Sequence, residues 1–308
     1  MKIILASPRG FCAGVCRAIE IVEKAIVKFG TPLYVKHEIV HNKYVVESFK
    51  KRGVIFTDDI SIIPNKATII FSAHGVSDNI ISQSKGKDLR IIDATCPLVT
   101  KVHREVKKYD FRNVEIILIG HKGHPEMEGT AGKIKGKYTI VETIDDVKNL
   151  QVKDPSNLAL ATQTTLSVDD TKSIVDAIFQ RFPDIKKHYK SDICYATQNR
   201  QNMVKDMAKD ITKLIVVGSK ESSNSNRLRD IGTQNNITSF LVDRASNLDL
   251  SMFNDLDVVG ITAGASAPEN LVWEITNTLQ ENFKASIENA KSSFEENIIF
   301  HLPKSIRI

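Results

Sequence analysis

The run from Cys96 to Glu126, CPLVTKVHREVKKYDFRNVEIILIGHKGHPE, decides the fold class. Its first half spaces Leu98, Val99, Val102 and Val106 as one face of an amphipathic helix over residues 98–109. Residues 114–119 then read as a short apolar strand, which ends in a loop of glycines, histidines and a carboxylate at 120–126. The order of cysteine, helix, strand and polar loop occurs twice more. Cys12 leads into a helix at 17–29, a strand at 32–35 and a loop at 37–42, and Cys194 into a helix at 199–213, a strand at 214–217 and a loop at 218–227. Each unit, about 90 residues long, continues with a helix, a short strand (54–56, 138–141, 239–242) and an acidic turn. A third strand follows (68–71, 158–161, 258–261). It ends in small and polar residues at 72–75, 162–165 and 262–266, with another helix behind it.

Strands that alternate with helices specify parallel sheet, and ligands of such sheets collect beyond the carboxyl ends of the strands. The expected fold is therefore α/β, with three similar α/β modules in a pseudo-threefold trefoil around one central site. The modules are expected at 1–96, with an N-terminal strand, at 97–193 and at 194–281. A closing segment, 282–308, contains strand-like residues 297–302.

A chain of 308 residues exceeds one ordinary core, and 42% apolar with 26% charged residues is a globular composition. No apolar run approaches the ~20 residues of a membrane span, and the first ten residues lack a secretory signal, so a cytoplasmic location is expected. The net charge of +5 comes from 42 basic against 37 acidic residues spread along the chain. That pattern favours a small anionic ligand over nucleic acid, which is met by a concentrated basic face. Four cysteines in a reducing cytosol point to thiolate chemistry or burial rather than disulfides.

A single cysteine is most often a buried apolar filler, but Cys12, Cys96 and Cys194 recur at one place in three modules. Three thiolates around one point are what a cluster or a metal ion needs. A [4Fe-4S] cube with three protein ligands leaves one iron open to a substrate oxygen. Cys16 has no counterpart, since Thr100 and Gln198 occupy the corresponding places, and core filling is expected of it. In the 120–126 loop, Gly123 and Pro125 make His121-x-x-His124 a turn rather than a zinc-binding helix. Glu126 there reads as a general acid with a neighbouring histidine as relay, or alternatively as a solvated loop carboxylate. Residues 219–227 crowd hydroxyl and amide groups where a helix begins. One such residue suffices to cap a helix. The excess, with His41, His74 and Ser266 on equivalent loops, suits a diphosphate held by hydrogen bonds.

Six motifs, Arg9–Val15, Asp93–Pro97, Gly120–Glu126, Thr162–Ser167, Ser222–Arg227 and Thr262–Pro268, together closely resemble the LytB/IspH family of 4-hydroxy-3-methylbut-2-enyl diphosphate reductases. The likeness runs in order over nearly the whole chain. It implies one [4Fe-4S] cluster per chain, with one iron lacking a protein ligand. It further implies the last step of the non-mevalonate isoprenoid route, in which two electrons and two protons convert an allylic hydroxy-diphosphate into isopentenyl and dimethylallyl diphosphate. By the resemblance, Cys12, Cys96 and Cys194 are the cluster ligands and Glu126 delivers a proton. Thr164 positions the substrate oxygen and assists the proton relay, and His41, His74, His124, Ser222, Ser223, Asn224 and Ser266 form the diphosphate pocket, with His124 also catalytic. An external electron donor such as ferredoxin or flavodoxin with its reductase is expected, and neither nucleic acid nor membrane. Cys16 is the one departure, a thiol open to oxidation. Two other readings are a zinc phosphoester hydrolase with a three-cysteine metal site, and a phosphometabolite or RNA binder suggested by a pI of 8.8, which leaves the cysteines unexplained.

Overall fold

The computed structural model describes residues 1–188, 191–291 and 295–307, with backbone alone at 186–188. Short apolar strands alternate with helices throughout. The first half runs β1 (Lys2–Leu5), α1 (Ala13–Phe29), β2 (Leu33–Lys36), α2 (Lys43–Lys50), β3 (Val54–Thr57), β4 (Thr68–Phe71), α3 (Asp78–Gly86), β5 (Arg90–Asp93), α4 (Pro97–Phe111) and β6 (Glu115–Ile119). The second runs α5 (Pro125–Ala131), β7 (Tyr138–Val141), α6 (Ile144–Asn149), β8 (Leu158–Thr162), α7 (Val168–Arg181), α8 (Tyr195–Met207), β9 (Lys213–Val217), α9 (Ser223–Gln234), β10 (Thr238–Val242), β11 (Val258–Ala263), α10 (Glu269–Phe283) and β12 (Ser286–Asn289).

Among the described residues three sheets result, all parallel, in the orders β3-β2-β4-β5, β7-β6-β8 and β10-β9-β11-β1-β12. One topology is therefore used three times: the second strand of a set lies outside the first, and the third lies on its other side. Lys36 pairs with Phe71, Ile119 with Thr162 and Val217 with Ala263, so in each sheet the two central strands end side by side. The chain leaves them in opposite directions. Such a switch point opens a crevice at the strands' carboxyl ends, and the loops carrying the expected site residues start there.

The repeat is phased differently from the expectation. Ala94 and Cys96 donate their backbone N–H groups to Phe71 and Ala73, Gly10 and Cys12 donate theirs to Ala263 and Ala265, and the Cys194 N–H goes to Thr164. Each cysteine thus ends an extended segment laid against the third strand of a set, closing a set instead of opening one. The N-terminal strand expected in the first module is consequently in the third sheet. β1 is buried from Ile3 onward and pairs on one edge with β11 and on the other with β12. Two further expectations are corrected. The helix expected to reach 213 ends at Met207, because Ile211 is buried and the Thr212 N–H is taken by Val258. Residues 297–302 form no strand; the closing strand is β12, where β1 offers a free edge. Of the 282–308 segment, 292–294 and 308 lie outside the described residues.

Residues 1–15, 41–47 and 195–299 make one compact unit, and residues 16–40, 48–194 and 300–308 another. In the first, Ile3, Leu5, Ile215, Val217, Val259 and Ile261 pack on Leu271, Val272, Ile275 and Leu279 of α10. On the opposite face Ile4, Leu214 and Val216 meet Met203, Val204 and Met207 of α8 and Leu228 and Ile231 of α9. Alternate strand residues point to opposite faces, and both faces are apolar because helices cover both. In the second unit Ile117, Ile119 and Leu160 face α7, while Ile116, Leu118 and Ala161 face α4 and α5. No helix among the described residues is long and apolar enough to cross a membrane.

Candidate active site

In the second unit, the loop after β6 delivers a buried acid. His124 caps α5 ahead of Pro125, and its Nδ1 accepts the Glu126 N–H at 3.1 Å, so the neutral ring keeps its proton on Nε2. Glu126 is 3% exposed. Its Oε1 accepts the Thr164 N–H at 2.7 Å and its Oε2 the Thr164 hydroxyl at 2.9 Å. Burial pushes the carboxyl up from 4.5 to about 7 against those two bonds, with Asp192 adding to the rise. The same Thr164 holds the Cys194 N–H through its carbonyl at 3.0 Å. Across this loop the His74 and His124 rings stand edge to face with centroids 5.9 Å apart, and the His74 Nδ1 lies 3.3 Å from the Ser72 hydroxyl. His121 turns away, to Glu142 at 3.3 Å. Cys96 occupies the cap position of α4 ahead of Pro97.

In the first unit, the loops after β9 and β11 meet. Ser222 caps α9 by accepting the Ser225 N–H, and its hydroxyl lies 3.1 Å from the Ser225 hydroxyl and 3.4 Å from that of Ser266. Ser266 in turn donates to the His41 carbonyl at 3.0 Å. A Cβ at Gly264 would lie 2.0 Å from the Ser225 oxygen, and one at Gly218 2.2 Å from it, so both loops need glycine to close on this serine. Asn224, 4% exposed, accepts the Ala265 N–H on Oδ1 at 2.8 Å. Its Nδ2 is buried with no hydrogen-bond partner among the described residues. A buried donor left without an acceptor is costly, and at the start of a helix it suits an anion. Ala265 also holds the Cys12 N–H on its carbonyl at 3.1 Å. One loop residue therefore ties a cysteine to a polar side chain in each unit, Thr164 in one and Ala265 in the other. Ser223 is the first residue of α9 and half-buried.

All four cysteines are thiols rather than disulfides. Cys16 is exposed on α1, which corrects the expectation that it fills the core. Cys12, Cys96 and Cys194 are half-buried, and each immediately precedes a helix. Among the described residues no three His, Cys, Asp or Glu side chains gather around a single ion position. The three residues are thiol donors, the ligand type that holds iron-sulfur clusters.

Two buried groups carried no readable sequence signal as site residues. Asp192, two residues ahead of Cys194, accepts the Thr162 N–H at 3.2 Å and is pushed up to about 6 by burial. His103, on the buried face of α4, is pulled down to about 4, chiefly by burial, and packs against the loop at Gly75.

Fold and site define an α/β protein of one thrice-used parallel topology, with cysteines ahead of helices, a buried acid in one unit and, in the other, a helix start whose buried amide donor suits an anion. The chain belongs to the LytB protein family, whose model matches residues 3–280. It is 50% identical over 306 residues to the 4-hydroxy-3-methylbut-2-enyl diphosphate reductase of Neisseria meningitidis serogroup C, covering 99% of this chain and 95% of that one. The enzyme of the same name from Aliivibrio fischeri is 51% identical, covering 100% of this chain and 99% of its own. The solved E-1-hydroxy-2-methyl-but-2-enyl-4-diphosphate reductase of Plasmodium falciparum superposes with a TM-score of 0.94 at 38% identity, over 99% of this chain and 96% of that one.

Proposed function

We propose that this chain removes the hydroxyl group of (E)-4-hydroxy-3-methylbut-2-enyl diphosphate by a two-electron, two-proton reduction. The carbon–oxygen bond breaks, the hydroxyl leaves with one proton as water, and the second proton ends on carbon, giving isopentenyl and dimethylallyl diphosphate. This is the last step of the non-mevalonate isoprenoid route. The observation that carries the reading is the buried Glu126 carboxyl, held near neutrality and joined through Thr164 to Cys194.

Hydroxide is a poor leaving group and needs a proton at the departing oxygen. Glu126 keeps that proton up to about pH 7 because burial disfavours its anion, and the Thr164 hydroxyl orients both the carboxyl and the substrate oxygen. His124, with its proton on Nε2, faces the diphosphate and relays. Asn224 Nδ2, the Ser222, Ser223 and Ser266 hydroxyls, His41 and His74 bind the diphosphate. Cys12, Cys96 and Cys194 hold one [4Fe-4S] cluster with one iron free of protein ligands, which supplies electrons and a Lewis acid for the oxygen when bound. The electrons come from a carrier such as ferredoxin or flavodoxin, and the enzyme works in the cytoplasm, its chain organised as three α/β modules.

Anaerobic visible spectra and turnover with an artificial reductant test this. The protein is expected to be brown and active, Cys12→Ser, Cys96→Ser and Cys194→Ser to lose most iron and activity, and Cys16→Ser to keep both. A colourless protein that bound zinc and cleaved phosphate esters without a reductant would establish the hydrolase instead.

A further inference from the structure

Three cations stand at matching places, five residues after Cys12, five after Cys96 and six after Cys194: Arg17, Lys101 and Arg200. Each lies on the helix that follows its cysteine, and each reaches back to the residues just ahead of another cysteine. Arg17 Nη1 donates to the carbonyls of Ala94 and Thr95, at 3.3 and 3.1 Å, directly before Cys96. Lys101 Nζ lies 3.4 Å from Asp192, two residues before Cys194. Arg200 donates through Nε and Nη2 to the carbonyl of Gly10, two residues before Cys12, at 3.2 and 2.7 Å. The order is cyclic along the chain. The helix after the first cysteine holds the turn before the second, the helix after the second holds the turn before the third, and the helix after the third holds the turn before the first.

The C-terminal segment completes two of these contacts. Arg17 Nε donates to the His301 carbonyl at 2.8 Å, and Glu296 pairs with Arg200 at 2.9 Å. Arg200 is 0% exposed. A guanidinium is costly to bury unless its donors are taken and its charge is balanced, and here Gly10, Ala196 and Glu296 take them. Arg17 also lies within electrostatic reach of Cys96: burial lowers its pKa, and the negative charges of Asp93 and a Cys96 thiolate offset that only in part.

We propose that Arg17, Lys101 and Arg200 are positioning residues that fix the three cysteine turns and place positive charge beside the thiolates, so that the reduced cluster is stabilised. The inference rests on the assignment of Cys12, Cys96 and Cys194 as cluster ligands. Reduction adds negative charge to a group already held by three thiolates, and nearby cations offset it. Contacts of this kind around metal ligands are worth about 10- to 100-fold in metal affinity or activity.

The test is iron and sulfide content together with the midpoint potential of the anaerobic full-length protein. Arg200→Gln and Arg17→Gln are expected to lower occupancy at least about tenfold at limiting iron and to move the midpoint to more negative values, Lys101→Gln to do the same more weakly. Arg200→Lys, which keeps the charge but loses the fork, should lose occupancy with little change in potential. Glu296→Gln leaves Arg200 cationic without its partner and should move the potential the opposite way. A purely structural role predicts no such opposed shifts. Lys101 is half-exposed, so its Gln variant reports on the charge even if an Arg200 variant fails to fold. Wild-type potential in all the Gln variants, or equal shifts for Arg200→Lys and Arg200→Gln, would overturn the proposal. Full iron content in the Cys→Ser variants would instead bring down the ligand assignment beneath it.

Discussion

Glu126 is a residue whose surroundings work against its ordinary chemistry. Between about pH 4.5 and about 7 the folded chain keeps this proton while the unfolded chain releases it, so the carboxyl contributes stability at low pH that is lost as pH rises through the window. Glu126→Gln removes the penalty. In denaturant titrations of the cluster-free protein the variant should gain on wild type with rising pH, by about 3 kcal/mol between acid and pH 8. A gain that did not vary with pH would mean that the folded protein already ionises Glu126. Turnover should fail in the same variant by roughly a hundredfold or more while substrate still binds. Wild-type kcat should decline above about pH 7 as the proton is lost. Asn224→Ala should fail differently, raising KM, since a hydrogen bond to a charged phosphate oxygen contributes about 1.5–3 kcal/mol.

At the scale of elements, the start of α9 does two jobs that separate by substitution. Ser222 caps the helix and also joins the hydroxyl network with Ser225 and Ser266. Ser222→Ala loses both, and should cost about 1 kcal/mol in unfolding free energy as well as raising KM. Glycine caps nearly as well as serine but brings no hydroxyl, so Ser222→Gly should raise KM with only a few tenths of a kcal/mol lost. Equal stability losses in the two variants would show that the network, not the cap, holds the turn. The cysteine turns follow a similar logic, because each sits where a strand edge ends and a helix begins, and its backbone is pinned by a neighbouring loop.

For the whole molecule, the division into two compact units, each with its own apolar layers, has a calorimetric consequence. Cluster-free protein should unfold with a calorimetric enthalpy above the van't Hoff value, as chains with more than one cooperative unit do. A ratio of one would mean that the units melt together. His103, in the second unit, works in the opposite direction to Glu126: it stays neutral in the fold down to about pH 4, whereas the unfolded chain protonates it near 6.5, so its own contribution to stability is lost as pH drops through that range.

The alternation of apolar strands with amphipathic helices is a local property, and it alone was enough to specify parallel α/β sheets and to put residues 120–126, 162–165, 219–227 and 262–266 at strand ends. The recurrence of Cys12, Cys96 and Cys194, and the motifs around them, were equally legible, since spacing and side-chain chemistry survive without coordinates. Which sheet β1 joins was not legible, because a four-residue apolar strand fits any parallel edge and only the register with β11 and β12 selects one. For the same reason the cysteines proved to close their sets rather than open them. Nor could sequence show that Glu126 and Thr164, 38 residues apart, share two hydrogen bonds, or that Arg200 reaches back 190 residues to Gly10. Burial, and with it the shift of a carboxyl from 4.5 to about 7, depends on what surrounds a side chain in three dimensions, which the order of residues along the chain does not record.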